Sequence, residues 1–207
     1  MDVHVDASNL KKVFNRRVIF EKISFSLAQQ QTLAVTGRNG AGKSTLVKIV
    51  SNILTPTEGE VKISSPTISS ANPHLALIGL VSPYLTLYDE FSARENLGFG
   101  LAIRGLQPDD QIIEVLLKRV SLHRRGDDLV RTYSSGMKQR LKYAFALVHH
   151  PQVLILDEPM ANLDLDGTKI VHEIMNEHRE QGILIVASND LSDIDRFDSL
   201  VDLDAPS

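Results

Sequence analysis

Gly37-Arg38-Asn39-Gly40-Ala41-Gly42-Lys43-Ser44-Thr45 satisfies the phosphate-binding pattern G-x-x-x-x-G-K-[ST] at every fixed position. Gly37, Gly40 and Gly42 reach backbone angles that turn the successive N–H groups of this stretch inward onto phosphate oxygens. Lys43 adds a mobile cation for the outer phosphates, and the Ser44 hydroxyl stands where it can reach a magnesium ion. A helix starting here aims the positive end of its dipole at the same anion. The flanks agree. Leu33-Ala34-Val35-Thr36 is a short β-favouring run that ends at Gly37, and Leu46, Val47, Ile49, Val50 and Ile53 recur at helical spacing beyond it.

Upstream, residues 3 to 36 alternate apolar and polar side chains in short bursts such as Ile19-Phe20-Glu21-Lys22-Ile23-Ser24-Phe25-Ser26-Leu27, which predicts half-buried antiparallel strands. Phe14 falls in an expected turn, Lys12 to Arg16, and offers a ring either to stack on a purine base or to cover the edge of the core. Downstream, Thr55-Pro56-Thr57-Glu58-Gly59 reads as a turn and Glu60 to Ile63 as a strand returning to this β lobe. Ser64 to Pro73, rich in serine and proline, is expected to be a surface connection. The apolar run Leu75 to Val81 is expected to be a strand, central in a covered parallel sheet.

From about Ser82 to Tyr133 the periodicity becomes helical, through Ala93, Leu97 and Leu101 and then Ile112, Ile113, Leu116, Leu117 and Val120. Pro108-Asp109-Asp110 reads as a helix start, with the proline in the first turn. Val153-Leu154-Ile155-Leu156-Asp157-Glu158-Pro159 then supplies a second motif. Its buried strand delivers two carboxylates to a carboxyl end, where open α/β sheets bind ligands. Asp157 is placed to hold magnesium through its water shell, and Glu158 to take a proton from an attacking water as general base.

The whole chain has 207 residues, of which 43% are hydrophobic, enough for one domain with lobes and too few for two full domains. A formal net charge of −4 gives no electrostatic reason to expect nucleic acid, and Lys11-Lys12 and Arg124-Arg125 read as solvated faces. Without cysteine there is no disulfide framework, thiolate metal site or thiol nucleophile, in keeping with a reducing compartment. The apolar runs fall well short of the roughly 20 residues that span a bilayer. Met1 to Asp6 shows neither a basic leader nor an apolar core, so no secretory signal is expected.

Between the two phosphate-site motifs lies Tyr133-Ser134-Ser135-Gly136-Met137-Lys138-Gln139-Arg140, opening a helix with Leu141, Ala144, Phe145 and Val148 on its buried side. Here the chain resembles an ABC ATPase, the nucleotide-binding subunit of ABC transporters. Ser134 and Gly136 match that family's Leu-Ser-Gly-Gly-Gln signature, while Tyr133, Ser135 and Met137 depart from it. Ala161-Asn162-Leu163-Asp164 matches the D-loop after the catalytic glutamate, so the resemblance covers essentially the whole chain. It implies an α/β fold: a P-loop NTPase, RecA-like core with an antiparallel β lobe, spanning about 1–81 and 151–207, and an inserted helical subdomain at about 82–150. It also implies ATP and Mg2+ as cofactors and Phe14 as the adenine-stacking aromatic. Two nucleotides would be sandwiched in a head-to-tail homodimer or heterodimer of ATPase subunits, each site pairing one subunit's Lys43 loop with the other's Ser134, Ser135 and Gly136.

The implied partner is a separate transmembrane subunit. The chain is expected in the cytoplasm, peripheral to the membrane only through that partner, and not on nucleic acid. Two positions depart from the family pattern. Pro83 stands where the family usually places a magnesium-contacting glutamine, leaving Ser82 or Tyr84 to offer an oxygen. Asn189, after the strand Ile183 to Ala187, stands where the family has a histidine that contacts the γ-phosphate. An amide donates a hydrogen bond there but carries no positive charge. These departures keep open a second reading, a nucleotide-binding regulatory module with weak hydrolysis. A third, a soluble ATPase acting on ribosomes or DNA, would more naturally show tandem copies or a coiled-coil insert.

Overall fold

The secondary-structure elements, in chain order, are β1 (His4–Phe14), β2 (Arg17–Ala28), β3 (Thr32–Thr36), α1 (Lys43–Val50), β4 (Glu58–Ser64), α2 (Pro73–Leu77), β5 (Ile78–Val81), α3 (Ala93–Ala102), α4 (Asp110–Arg119), α5 (Ser135–Leu147), β6 (Val153–Asp157), α6 (Leu165–Arg179), β7 (Ile183–Ala187) and β8 (Ser199–Asp202). The structure is a computed structural model and describes residues 3–66, 73–189 and 196–205. Most of the Ser64 to Pro73 connection lies outside the described residues.

Two sheets carry these strands. Antiparallel β2-β1-β4 forms the β lobe, and five parallel strands in the order β5-β6-β7-β3-β8 form the second sheet. The hairpin between β1 and β2 turns on Asn15 and Arg16, with φ of 47° and 66°, the left-handed pair whose twist suits flanking strands. Phe14 is therefore the last residue of β1, paired with Arg17. The inner strands β3, β6 and β7 are buried on both faces, and the side chains of β6 and β7 alternate between two cores. Leu154, Leu156, Leu184 and Val186 join the core under α3, α4 and α5, whereas Val153, Ile155, Ile183 and Ile185 join the core shared with α1 and the β lobe. This period-two division explains why these strands read as unbroken apolar runs.

The helical region is built on local signals. Ser92 and Glu95 form a complete capping box at the start of α3. The Asn96 side chain, fully buried, accepts from Tyr88 N at 2.9 Å and donates to Tyr88 O and Ser92 O at 3.0 and 2.9 Å, so the loop before α3 is fixed by one satisfied amide. Asp109 caps α4 through the N–H groups of Gln111 and Ile112. Across to the parallel sheet, the buried Tyr143 of α5 donates its hydroxyl to Pro159 O at 2.7 Å and so ties that helix to the end of β6.

Several expectations are corrected. β3, within the stretch expected to be antiparallel, pairs in parallel with β7 and β8; Lys12 to Phe14 and Glu58 to Gly59, expected in turns, belong to β1 and β4. Leu75 to Leu77 belong to α2, and only Ile78–Val81 is strand. β5 lies at the edge of its sheet, next to β6 alone, and is not central. Ile53 lies beyond α1 and is 62% exposed, because the chain leaves the helix after Val50. Pro108 precedes the cap of α4 and is not in its first turn, since the Asp109 carboxylate takes the capping role. Two elements, α6 and β8, were not anticipated: Leu165 to Arg179 lies within an acidic, mixed stretch, and Ser199 to Asp202 is only four residues long.

Candidate functional site

β3, β6 and β7 are neighbours, and the segments following their carboxyl ends converge. β3 leads into Gly37–Gly42, where Gly37, Gly40 and Gly42 hold φ of 138°, 85° and 111°, the region that side chains rarely enter. At Gly42 this is also a matter of space, because an added Cβ would lie 2.6 Å from Ile19 Cγ2. Gly42 caps α1, and no side chain closes that cap, so the helix start is left to an external anion. Arg38 is anchored from outside: its N–H donates to Asp204 Oδ2 at 2.5 Å and its Nε lies 3.4 Å from Asp204 Oδ1.

The side chain of Lys43 is 6% exposed and folds back over the loop, donating to Gly37 O at 2.8 Å and Arg38 O at 3.4 Å. Its ammonium also donates to Asn189 Oδ1, lies 3.9 Å from Glu158 Oε1, and so brings β3, β6 and β7 to one point. Asn189 in turn donates from Nδ2 to Asn39 Oδ1. Glu158 has φ of 50° while its N–H donates to Ala187 O at 2.8 Å. Such a left-handed non-glycine residue costs about 1–3 kcal/mol and concentrates where function demands it. Here it turns the carboxylate off the strand and toward Lys43.

Asp157 is 1% exposed and both of its carboxylate oxygens are buried without a hydrogen-bond partner. Burial raises its pKa, while the Ser44 hydroxyl, the cations of Lys43 and Lys48 and the Ser82 hydroxyl pull the other way, though neither hydroxyl reaches hydrogen-bonding geometry. A buried carboxylate left unpaired beside a serine is the donor set a hard cation such as Mg2+ takes. The residues present therefore fit that ion, which Ser44 and Asp157 would hold.

The oxygen offered beside Asp157 in the Pro83 region comes from Ser82. Ser82 is 4% exposed, whereas Tyr84 is 65% exposed and lies under Lys48, 3.8 Å from Nζ to the ring centroid. Pro83 points outward, and Lys142 Nζ grips this loop through Ser82 O and Pro83 O at 3.3 and 3.5 Å. Ala41 is half-buried in the loop, and Thr45 lies in the first turn of α1. Phe14 is 43% exposed with Lys12 Nζ 4.8 Å from its ring centroid, leaving surface for a base.

Ser134 caps α5 through Met137 N at 3.2 Å, Ser135 is exposed, and Gly136 lies against the D-loop, where an added Cβ would sit 3.3 Å from Asn162 O. Among the described residues no hydrogen bond or ion pair joins Ser134, Ser135 or Gly136 to the chain's own phosphate loop. Two features escaped the sequence. The Asn39–Asn189 contact links residues 150 positions apart, which no local pattern signals. The left-handed Glu158 had only one available clue, the turn that Pro159 marks.

A glycine-rich loop between a parallel strand and a helix, facing two carboxylates at the next-but-one strand, defines a P-loop nucleotide-binding protein with a RecA-like core. The particular family follows from comparison: residues 20–161 match the ABC transporter family model, and the chain belongs to that family as one of its ATP-binding units. It is 32% identical over 186 residues to the linearmycin resistance ATP-binding protein LnrL of Bacillus subtilis (strain 168), covering 88% of this chain and 60% of that protein. It is equally 32% identical, over 190 residues, to the lantibiotic transport ATP-binding protein SrtF of Streptococcus pyogenes, covering 91% and 81%. Against several such relatives the chain spans only 40% to 60% of their length. Among solved structures, an ATP-binding subunit of an ABC transporter superposes with a TM-score of 0.85 at 25% identity, covering 96% of this chain and 85% of that one.

Proposed function

We propose that this chain binds ATP with Mg2+ and hydrolyses it to ADP and phosphate, powering transport through a separate membrane-spanning subunit. One observation carries the reading: Lys43, Glu158 and Asn189, from three strand ends, meet beside the unpaired, buried Asp157. The backbone N–H groups of Gly37 to Thr45 and the Lys43 ammonium hold the phosphates, and the exposed ring of Phe14 stacks on the base. Mg2+, held by Ser44 and Asp157, supplies positive charge to the phosphate oxygens. Glu158 accepts a proton from water as the water oxygen bonds to the γ-phosphorus and the bridging P–O bond to ADP breaks. Asn189 offers a hydrogen-bond donor to the γ-phosphate.

The exposed N-terminus of α5, turned toward Asn162, supports completion of each site by Ser134, Ser135 and Gly136 of a second ATPase subunit, in a homodimer or heterodimer. Among the described residues no helix is long and apolar enough to cross a membrane, in keeping with a cytoplasmic unit that reaches the membrane through its partner. A unit of core plus β lobe, with the helical region at about 82–150 as its subdomain, is the organisation we assign. The transport names of the relatives favour this role over a regulatory module.

Glu158→Gln tests the reading, since it removes the proton acceptor and keeps the shape. Phosphate release should fall by about 10²-fold or more, the usual contribution of a positioned base, and size-exclusion chromatography with Mg-ATP should show the variant accumulating as dimer. A wild type that releases phosphate no faster than Glu158→Gln would sink the ATPase assignment. A variant that stays monomeric at high concentration would sink the shared site.

A further inference from the structure

We propose that Asn39 and Asn189 form an amide relay whose direction reports whether the phosphate loop is loaded, with Asn39 the positioning residue that sets which end of the Asn189 amide faces the phosphates. The inference rests on the reading of Gly37–Thr45 as the ATP site. It begins from Lys43, whose ammonium can only donate. The Asn189 atom it meets is therefore the carbonyl Oδ1. That leaves Nδ2 facing Asn39, which presents its own Oδ1 to receive it. Lys43 thus orients Asn189, and Asn189 orients Asn39. Both amides sit on exposed loop positions, one from the phosphate loop and one from the end of β7, and the contact joins the two loops directly.

Phosphate reverses this order. A γ-phosphate oxygen only accepts, and once it takes over Lys43 an Asn189 Oδ1 left facing it would set acceptor against acceptor. A half-turn about the terminal side-chain bond, a torsion with a broad two-fold profile, presents the Asn189 NH2 to the phosphate and its oxygen to Asn39. Asn39 must then turn as well and donate its own NH2. An amide at each position makes both directions possible, because each carries a donor on one side and an acceptor on the other. A carboxylate at position 39 accepts only, and would pin Asn189 in the orientation of the empty site.

Asn39→Asp is therefore the diagnostic change. Its added negative charge also opposes ATP directly, and a double-mutant cycle separates the two effects. Dissociation constants for a non-hydrolysable ATP analogue with magnesium are measured by equilibrium titration for wild type, Asn39→Asp, Asn189→Ala and the double variant. Asn39→Asp should weaken binding in both backgrounds through its charge, and by a factor about fivefold or more larger where Asn189 is present than in the Asn189→Ala background. Asn39→Ser, whose hydroxyl both gives and accepts, should stay within about threefold of wild type. An equal factor in the two backgrounds, no weakening included, or an Asn39→Ser as impaired as Asn39→Asp, overturns the relay and leaves the nucleotide site standing. A wild type that binds no analogue overturns the nucleotide-site reading and the relay with it.

Discussion

In the proposed site Asn189 brings an amide to the γ-phosphate where an imidazolium could bring charge as well as a donor, and loss of one well-placed stabilising group commonly costs about 10²–10³ in rate. Because the amide retains a donor, the deficit should be smaller: Asn189→His is expected to raise kcat by about tenfold, equivalent to 1.4 kcal/mol, with little change in ATP affinity. Steady-state phosphate release at saturating Mg-ATP, with Glu158→Gln counterparts as blanks, measures it, and a histidine variant no faster than wild type refutes it. Lys43 plays a different part. It holds Gly37 O and Asn189 Oδ1 in the structure, and in the proposed site it exchanges both for phosphate oxygens, so Lys43→Ala should abolish measurable binding of a fluorescent ATP analogue. Equal affinities would remove the loop's assignment. At this scale the sequence was most informative where chemistry is consecutive: Gly37 to Thr45 and Asp157-Glu158 are local patterns tied to backbone geometry. It could not choose between Ser82 and Tyr84, because burial separates them and burial depends on distant residues.

Elements were legible where periodicity or capping persisted over a full turn or strand. Residues around Ile112 to Val120 and Val153 to Asp157 read correctly because each run is long or bounded by a carboxylate or proline. Leu75 to Leu77 did not, since a short apolar run serves a buried strand and a buried helix turn equally well, and tertiary contact made the choice. The same junction gives a stability prediction. Gly79 in β5 lies so close under α5 that an added Cβ would stand 2.4 Å from Ala146 O and 2.8 Å from Pro151 Cγ. Backbone cannot yield cheaply there, so Gly79→Ala should destabilise by about 1–3 kcal/mol and lower Tm by several degrees in a calorimetric scan. An unchanged Tm would show that α5 shifts freely against the sheet.

Across the whole molecule, two histidines fasten outer helices to the parallel sheet. His149, after α5, meets Ile78 O at 3.0 Å, and His178, near the end of α6, meets Ile183 O at 3.2 Å. Burial pushes their pKa values down from the usual 6.5, to about 3 for His149 and about 4 for His178. Below about pH 6.5 the unfolded chain therefore takes up protons that the folded chain refuses, and stability falls as pH drops, by up to about 1.4 kcal/mol per unit for each histidine. Above that pH their contribution is constant. Urea unfolding between pH 7.5 and 5 should show the decline, and a His149→Gln, His178→Gln double variant should flatten it; an equally steep double variant would place the titration elsewhere. The start of α5 carries a different kind of consequence. Ser134 to Gly136 open toward Asn162 and, among the described residues, make no hydrogen bond or ion pair with the chain's own phosphate loop, so in the proposed pairing a working site needs two copies. Turnover per litre of a dilute solution then scales with the square of the chain's concentration, and specific activity drops on dilution. A partner that holds two copies side by side replaces bulk concentration with effective concentration, so that activity per chain no longer falls on dilution.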